Sequence, residues 1–216
     1  MAAHLSTGHA ILLNGGSSSG KSTIGRALQS ELEGDWLLTG IDVLIWMLPV
    51  ELTWSPAGIS VADGEIHRGP AFLRAYEGFQ HSVAALCRAG RNVVVDDVLT
   101  DGVVGQDRWK ASMVGIDAVW VGVRCEAGLA AARESGRGDR PPGIAGHYAD
   151  RVHVGVDYDI EVDTGGASLE DTVKAIVGAL PDHWAVASLP KSGREALPAR
   201  SAWGADGSRS LAPWER

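Results

Sequence analysis

The chain has 216 residues, a mass of 22.7 kDa and a formal net charge of −8 at pH 7. This length suits one ordinary domain with a short extension, because single domains commonly contain about 50 to 250 residues. A hydrophobic fraction of 45% and a charged fraction of 21% are typical of a globular protein and exclude collagen-like, wholly disordered and membrane-embedded classes. The negative charge predicts no nucleic-acid partner, because such binding needs Lys and Arg side chains on phosphates.

The two cysteines, Cys87 and Cys125, form no CxxC pair, which predicts two reduced thiols in the core. The N-terminus has no basic segment, and its apolar run at 10–13 is shorter than the about 7 to 15 residues of a signal peptide's apolar region. No segment reaches the roughly 18 apolar residues of a membrane span. We therefore expect a cytoplasmic protein without membrane contact.

Short apolar runs alternate with segments of helical periodicity along the first 180 residues. Strands are predicted at about 10–13, 36–39, 92–97, 117–123 and 160–163. Helices are predicted from residue 21 to Gly34, and at about 43–48, 70–88, 126–135 and 168–180. The Gly- and Pro-rich segment 51–69 predicts a long loop or a hairpin.

This alternation predicts an α/β fold with three layers and a mainly parallel sheet of five strands. We assign residues 1–180 to this domain. Residues 181–216 change to Ala, Ser, Gly, Pro and Arg without periodicity, and we expect a tail that is flexible or ordered only by docking. The sequence leaves the oligomeric state open, and a homo-oligomer is possible.

Residues 15–22 fit the phosphate-binding motif G-x-x-x-x-G-K-[ST], between a predicted strand and a predicted helix. Small residues allow backbone N–H groups to surround a phosphate at the positive end of the helix dipole. Lys21 would reach the β- and γ-phosphates of ATP, and the Ser22 hydroxyl would bind Mg²⁺. The predicted nucleotide-binding residues are Gly15, Gly16, Ser17, Ser18, Ser19, Gly20, Lys21, Ser22 and Thr23.

Asp96 and Asp97 end the third predicted strand, where P-loop enzymes place the acid that holds the metal. Side chains alternate across a strand, so we expect one of the two to face the phosphates and favour Asp96. A surface position for either residue, or a helix N-cap for Asp97, is the alternative.

Three arginines, Arg133, Arg137 and Arg140, fall where a helix gives way to a loop that contains Gly and Pro. Such arginines suit a lid, at about 133–145, that stabilises charge on a transferred phosphoryl group. The alternative is solvated arginine paired with Glu134 and Asp139.

Asp42 follows the second predicted strand at its carboxyl end, where ligands of open α/β sheets bind. A carboxylate there could orient an acceptor hydroxyl and take its proton. The alternative is an N-cap of the short helix that follows.

Together these segments resemble the chloramphenicol phosphotransferase family, small P-loop kinases similar in fold to nucleoside monophosphate kinases and shikimate kinase. The resemblance covers about residues 8 to 180. It is carried by the phosphate loop, Gly40-Ile41-Asp42, Val95-Asp96-Asp97-Val98, Trp120-Val121-Gly122-Val123-Arg124-Cys125, Arg137-Gly138-Asp139-Arg140 and the segment 158–164.

The resemblance implies transfer of phosphate from ATP with Mg²⁺ to a primary hydroxyl of an antibiotic, which would confer resistance. In that pattern Asp42 matches the catalytic base, and Arg137 and Arg140 match lid arginines near the nucleotide. The acceptor region departs from the pattern at Trp46 and Trp54, for which stacking on a substrate ring and anchoring of a loop are the two alternatives. A kinase for another small metabolite, nucleoside antibiotic or sugar, and a nucleotide-binding switch that transfers phosphate only to water, remain the alternatives.

Overall fold

The computed structural model describes residues 6–53, 55–62, 64–136 and 143–184. Its centre is a sheet of five parallel strands in the order β2-β5-β1-β6-β7. These strands are β1 (Ala10–Asn14), β2 (Trp36–Gly40), β5 (Asn92–Asp97), β6 (Ala118–Arg124) and β7 (Ile160–Asp163). All five strands, and therefore the predicted three-layer α/β class, are confirmed.

Seven helices of the described residues surround this sheet. They are α1 (Lys21–Glu31), α2 (Ile41–Met47), α3 (Pro70–Arg88), α4 (Val103–Ser112), α5 (Ala127–Ser135), α6 (Ile144–Tyr148) and α7 (Leu169–Ala179). The segment predicted as a loop or hairpin contains an antiparallel hairpin of β3 (Ile59–Ala62) and β4 (Glu65–Arg68). The sequence patterns did not predict α4 and α6.

Strand β1 explains why the sheet is buried on both faces. All five of its residues are buried, and successive side chains enter opposite hydrophobic clusters. Leu12 packs with Phe72 and Trp109 on the side of α3 and α4, whereas Ile11 packs with Ile24 on the side of α1. This is the arrangement expected of a continuous apolar run at the centre of a parallel sheet.

The residues predicted for the core are buried, and the first residues of the predicted tail are packed against the domain. Trp36 and Trp120 are buried, as expected, and both cysteines are free and buried. Trp184 is also buried and stacks on His9 with a centroid separation of 4.5 Å. Packed structure therefore extends to Trp184, and the rest of the predicted tail, 185–216, lies outside the described residues. Within the described part, none of the helices is long and apolar enough to cross a membrane.

Candidate active site

A cleft of about 580 Å³ opens at the carboxyl end of the central strands. Parallel α/β sheets bind their ligands at this edge. Phosphate-loop residues, residues that follow β2 and β5, and residues of α5 and the β7–α7 region line it. They include Ser18, Gly20, Lys21, Ser22, Thr23, Ile41, Asp42, Asp96, Val98, Arg133, Gly136, Thr164, Leu169 and Thr172.

The loop between β1 and α1 has the backbone shape that a phosphate cradle requires. Ser18 has a φ of 59° and Gly20 a φ of 97°, both in the left-handed region. Such turns point successive backbone N–H groups to the inside of a concavity. The hydroxyls of Ser18 and Ser19 are buried, and within the described structure neither has a hydrogen-bond partner. The loop therefore offers donors that suit the oxygens of a bound anion.

The surroundings of Gly15 leave no room for a side chain, and those of Gly16 leave little. A Cβ atom at Gly15 would lie 2.5 Å from the carbonyl oxygen of Val123, and one at Gly16 would lie 3.2 Å from Cα of Ala149. The loop is thus packed closely between β6 and the segment after α6.

Lys21 begins α1 and directs a buried ammonium group to the loop. Its Nζ atom donates a hydrogen bond of 2.9 Å to the carbonyl oxygen of Gly16 and lies 3.6 Å from Oδ1 of Asp96. Only 6% of the side chain is exposed. A cation held at the mouth of an amide-lined loop is suited to bind phosphate.

The Ser22 hydroxyl lies one residue further along α1 and faces the end of β5. Its Oγ atom donates a hydrogen bond of 2.5 Å to Oδ2 of Asp96. The structure thereby brings Ser22, Lys21 and Asp96 together, three residues that the sequence analysis placed at the phosphates. A hydroxyl and a carboxylate are oxygen donors of the type that Mg²⁺ prefers.

Asp97 points to the opposite side of β5 and is 2% exposed. Its carboxylate accepts hydrogen bonds from the Tyr76 hydroxyl, from Nε1 of Trp109 at 2.6 Å and from the N–H of Val98 at 2.7 Å. Burial raises the pKa of Asp97, whereas the charge of Arg68 and these hydrogen bonds act in the opposite direction. The alternation of side chains thus separates the two acids, with Asp96 in the cleft and Asp97 in the core.

Asp42 enters the cleft because β2 and β5 run in parallel register. Gly40 is paired with Asp96, and a Cβ atom at Gly40 would lie 2.1 Å from the Asp96 carbonyl oxygen. Because the two backbones approach so closely, α2 begins beside the end of β5, and Asp42 lies in the first turn of α2. Gly40 occupies the N-cap position, so Asp42 is not the helix cap that the alternative interpretation required.

Arg133 extends from α5 to the opposite wall of the cleft. Its guanidinium donates to the Thr164 hydroxyl at 3.0 Å, to the Thr164 carbonyl at 2.8 Å and to Sγ of Cys125 at 3.4 Å. The same Thr164 hydroxyl is 2.8 Å from the carbonyl oxygen of Ser19 in the phosphate loop. Sequence patterns did not single out Thr164, because a lone threonine after a short strand carries no motif.

Two predicted lid residues, Arg137 and Arg140, lie outside the described residues, as does Trp54. Trp46 lies on α2, one turn after Asp42, and is 54% exposed.

A buried polar chain supports the phosphate loop from behind, and sequence analysis did not find it. Asn14 Nδ2 lies 2.5 Å from the Tyr158 hydroxyl and 2.8 Å from the Val152 carbonyl oxygen. The Tyr158 hydroxyl lies 2.6 Å from Nδ1 of His153. Burial, together with the charges of Arg124 and Lys21, lowers the pKa of His153 to about 4. The imidazole is therefore neutral near pH 7.

The donor set fits Mg²⁺ bound mainly through a nucleotide. Among the described residues, no group of three or more His, Cys, Asp or Glu side chains could hold a metal. Mg²⁺ in phosphoryl-transfer sites usually keeps one or two protein ligands and takes its other oxygens from phosphates and water. Ser22 and Asp96 would be those two ligands.

The fold is that of P-loop kinases. A sugar kinase from Janibacter sp. HTCC2649 aligns with a TM-score of 0.61 over 83% of this chain and 99% of its own, at 14% identity. An APS kinase of Mycobacterium tuberculosis, solved with AMPPNP and APS, aligns with a TM-score of 0.53 over 81% and 98%, at 15% identity. Fold and sequence motif together place the chain in the P-loop class, with the fold of its kinases.

The family follows from sequence similarity. Residues 8–181 match the family described as chloramphenicol phosphotransferase-like protein, and the chain belongs to that family. A relative provisionally named an O-phosphotransferase in two strains of M. tuberculosis is 31% identical over 188 residues, which cover 78% of this chain and 80% of the relative. The resemblance inferred from the motifs is confirmed, and the chain is an O-phosphotransferase with a hydroxyl acceptor.

Proposed function

We propose that the protein transfers the γ-phosphoryl group of ATP to a hydroxyl of a small, chloramphenicol-like antibiotic, with Mg²⁺, and thereby confers resistance. The observation that carries the proposal is that Asp42 shares one cleft with Lys21 and Asp96. A carboxylate for the acceptor and a cation for the donor thus line the same space. The family description favours an acceptor of this type.

On the donor side, the phosphate loop and Lys21 would bind the β- and γ-phosphates. Ser22 and Asp96 would hold Mg²⁺, which neutralises charge on the phosphates when it is bound. Arg133, fixed on Thr164, would place a second cation along the nucleotide. In this proposal Asp97 is not a metal ligand, because its carboxylate is occupied by Tyr76 and Trp109 on the other face of the strand.

On the acceptor side, Asp42 would orient the hydroxyl of the antibiotic. The hydroxyl oxygen forms a bond to the γ-phosphorus, and the bond from that phosphorus to the β–γ bridging oxygen breaks to release ADP. The hydroxyl proton passes to the Asp42 carboxylate. Ile41 and Val98 also line the cleft and add apolar surface to it, which favours an acceptor with an apolar body.

The proposal gives the lid arginines a role in catalysis. Arg137 and Arg140 would stabilise charge on the transferred group, as the family resemblance implies. Their contribution is tested by Arg137→Ala and Arg140→Ala, each of which should lower the rate of transfer while the protein stays folded.

An acceptor panel tests the function. The protein is incubated with ATP and Mg²⁺ and with chloramphenicol, a nucleoside antibiotic, gluconate or no acceptor, and products are analysed by mass spectrometry. We expect chloramphenicol to gain one phosphoryl group. A phosphorylated product with gluconate or the nucleoside alone would replace the antibiotic proposal by another small-molecule kinase, and rapid ATP hydrolysis without any phosphorylated acceptor would favour a switch.

A further inference from the structure

Helix α6 holds the β3–β4 hairpin through one buried tyrosine. The hydroxyl of Tyr148 accepts a hydrogen bond of 3.0 Å from the backbone N–H of Ile66 in β4, and Tyr148 is 6% exposed. The two residues are 82 positions apart in the chain. A hydrogen bond between a buried side chain and a strand amide fixes the strand's position, since the amide has a directional partner.

Polar side chains form a second contact next to this bond. Oε1 of Glu65 lies 3.4 Å from Nη1 of Arg151 and 3.5 Å from Nε2 of His147. At the hairpin turn, a Cβ atom on Gly64 would lie 3.5 Å from the carbonyl oxygen of Gly143. Gly64 therefore lies beside the start of α6, and Glu65 contacts its end through His147.

The same segment also contacts the phosphate loop. Immediately after α6, Cα of Ala149 lies 3.2 Å from where a Cβ atom on Gly16 would stand. The two backbones therefore approach each other closely, and because packed protein has little free volume, displacement of one strains the other. A shift of the loop on phosphate binding would therefore displace the end of α6 that carries Tyr148.

A buried carboxylate fixes the other end of α6 to the nucleotide side of the cleft. Glu134 in α5 is 6% exposed and accepts hydrogen bonds from the N–H groups of Gly143 at 2.7 Å and Ala145 at 2.9 Å. The preceding residue, Arg133, lines the cleft. Helix α6 is thus fixed to two elements of the proposed nucleotide site.

The hairpin is connected to α2 through the hydrophobic core. Ile66 and Ile59 pack in the same hydrophobic cluster as Ile41 and Leu44 of α2, the helix that carries Asp42. The hairpin and the helix from which the proposed base projects therefore share one hydrophobic cluster, through which strain in the hairpin can reach that helix.

We propose that Tyr148 is a positioning residue that couples nucleotide binding at the phosphate loop to the ordering of the β3–β4 hairpin. The inference rests on the proposed function, since it requires a nucleotide in the loop. A nucleotide bound in the loop restrains it, the close approach of Gly16 to Ala149 passes this restraint to α6, and the Tyr148 hydroxyl passes it to the hairpin by accepting the hydrogen bond of the Ile66 amide.

Hydrogen exchange with AMPPNP and Mg²⁺ as the probe tests this coupling. In the wild type we expect exchange of the peptide that contains Ile66 to slow by about threefold or more on binding. Tyr148→Phe should lose this protection while the phosphate-loop peptide stays protected, and Glu65→Gln should reduce it. Asp117→Asn is the matched control for Glu65→Gln, because both carboxylates are about two-thirds exposed and lie beside a histidine, but Asp117 is outside this contact.

Steady-state kinetics with the acceptor found in the product assay provide a second readout. Tyr148→Phe should raise the acceptor KM about threefold to tenfold and change the KM for ATP by less than about twofold. A general loss of folding would not change one KM and spare the other. The inference is overturned if the phosphate-loop peptide is protected but the Ile66 peptide is not, or if Tyr148→Phe keeps full protection. Absence of protection in both wild-type peptides would instead overturn the proposed function, and the inference with it.

Discussion

The hydroxyl of Ser22 donates a hydrogen bond of 2.5 Å to the carboxylate of Asp96, across 74 positions of the chain. This bond joins the start of α1 to the end of β5 and puts two oxygen donors at the mouth of the phosphate loop. Asp97, one residue further, has its carboxylate in the core instead. The neighbouring acids are therefore expected to respond differently to the same substitution.

For Asp96→Asn we expect a fall in phosphoryl transfer of about 10²-fold or more, with little change in stability, because a metal-binding carboxylate is lost. For Asp97→Asn we expect a loss of stability of about 1 to 3 kcal/mol, because an amide nitrogen would face buried donors. Transfer rates and urea unfolding of both variants check this. An equal loss of stability in the two variants would contradict the division of roles.

Lys21→Ala removes the ammonium group beside Gly16 and Asp96. The rate of phosphoryl transfer from ATP should fall by about 10²-fold or more, because no other cationic side chain of the described residues is held beside Gly16 in the loop. Lys174→Ala is the matched control, since Lys174 lies on α7 in a surface pair with Glu170 and its side chain is 67% exposed. Transfer kinetics of Lys21→Ala equal to those of the control would refute the assignment of the phosphate loop.

Arg133→Lys keeps the positive charge but loses hydrogen bonds that the guanidinium donates to Thr164 and Cys125. We expect the Kd for AMPPNP with Mg²⁺, measured by calorimetry, to rise about tenfold, because lysine cannot reproduce the planar guanidinium contacts. Thr164→Val removes the hydroxyl that joins Arg133 to Ser19 and should have a smaller effect of the same sign. Unchanged affinity in both variants would show that this wall does not contact the nucleotide.

His153 makes stability depend on pH. Its folded pKa, lowered to about 4 from 6.5, means that the unfolded chain binds the extra proton between these values. Stability contributed by the neutral imidazole is therefore fully present above about pH 6.5 and is lost as the pH falls toward 4, by up to about 3 kcal/mol.

Urea unfolding at pH 5 and pH 7 measures this effect. His153→Gln should flatten the difference between the two pH values, while His81→Gln, a change at an exposed histidine of α3, should leave it as in the wild type. A wild-type stability that does not fall between pH 7 and pH 5 would contradict the lowered pKa.

Much of the sheet and the phosphate loop could be predicted because their signals are local. The apolar runs of β1 and β5 end in glycine or acid, and the motif from Gly15 to Ser22 needs only eight consecutive residues. Helix α3 was predicted with the bounds that the structure has, since its apolar residues recur at helical spacing. The position of Asp42 in the cleft could be predicted from the parallel arrangement of strands.

The elements that were missed depend on contacts between distant segments. Helix α4 buries Gly105, Gln106, Trp109 and Ser112, a mostly polar face without apolar periodicity. Helix α6 has five residues, too few for an isolated helix, and Glu134 of α5 caps it. The pairing of Arg133 with Thr164 likewise joins positions 31 residues apart, so no local pattern could identify it.

The most direct test of the proposed chemistry compares Asp42→Asn with Asp35→Asn, an exposed acid before β2. Each variant is incubated with ATP, Mg²⁺ and chloramphenicol, and phosphorylated product is measured by mass spectrometry beside AMPPNP affinity. We expect Asp42→Asn to lose about 10²- to 10⁴-fold in transfer with nucleotide affinity kept, and Asp35→Asn to match the wild type. Transfer by Asp42→Asn within about threefold of the wild type would contradict its role as the base, and absence of product from the wild type would contradict the chloramphenicol-like acceptor.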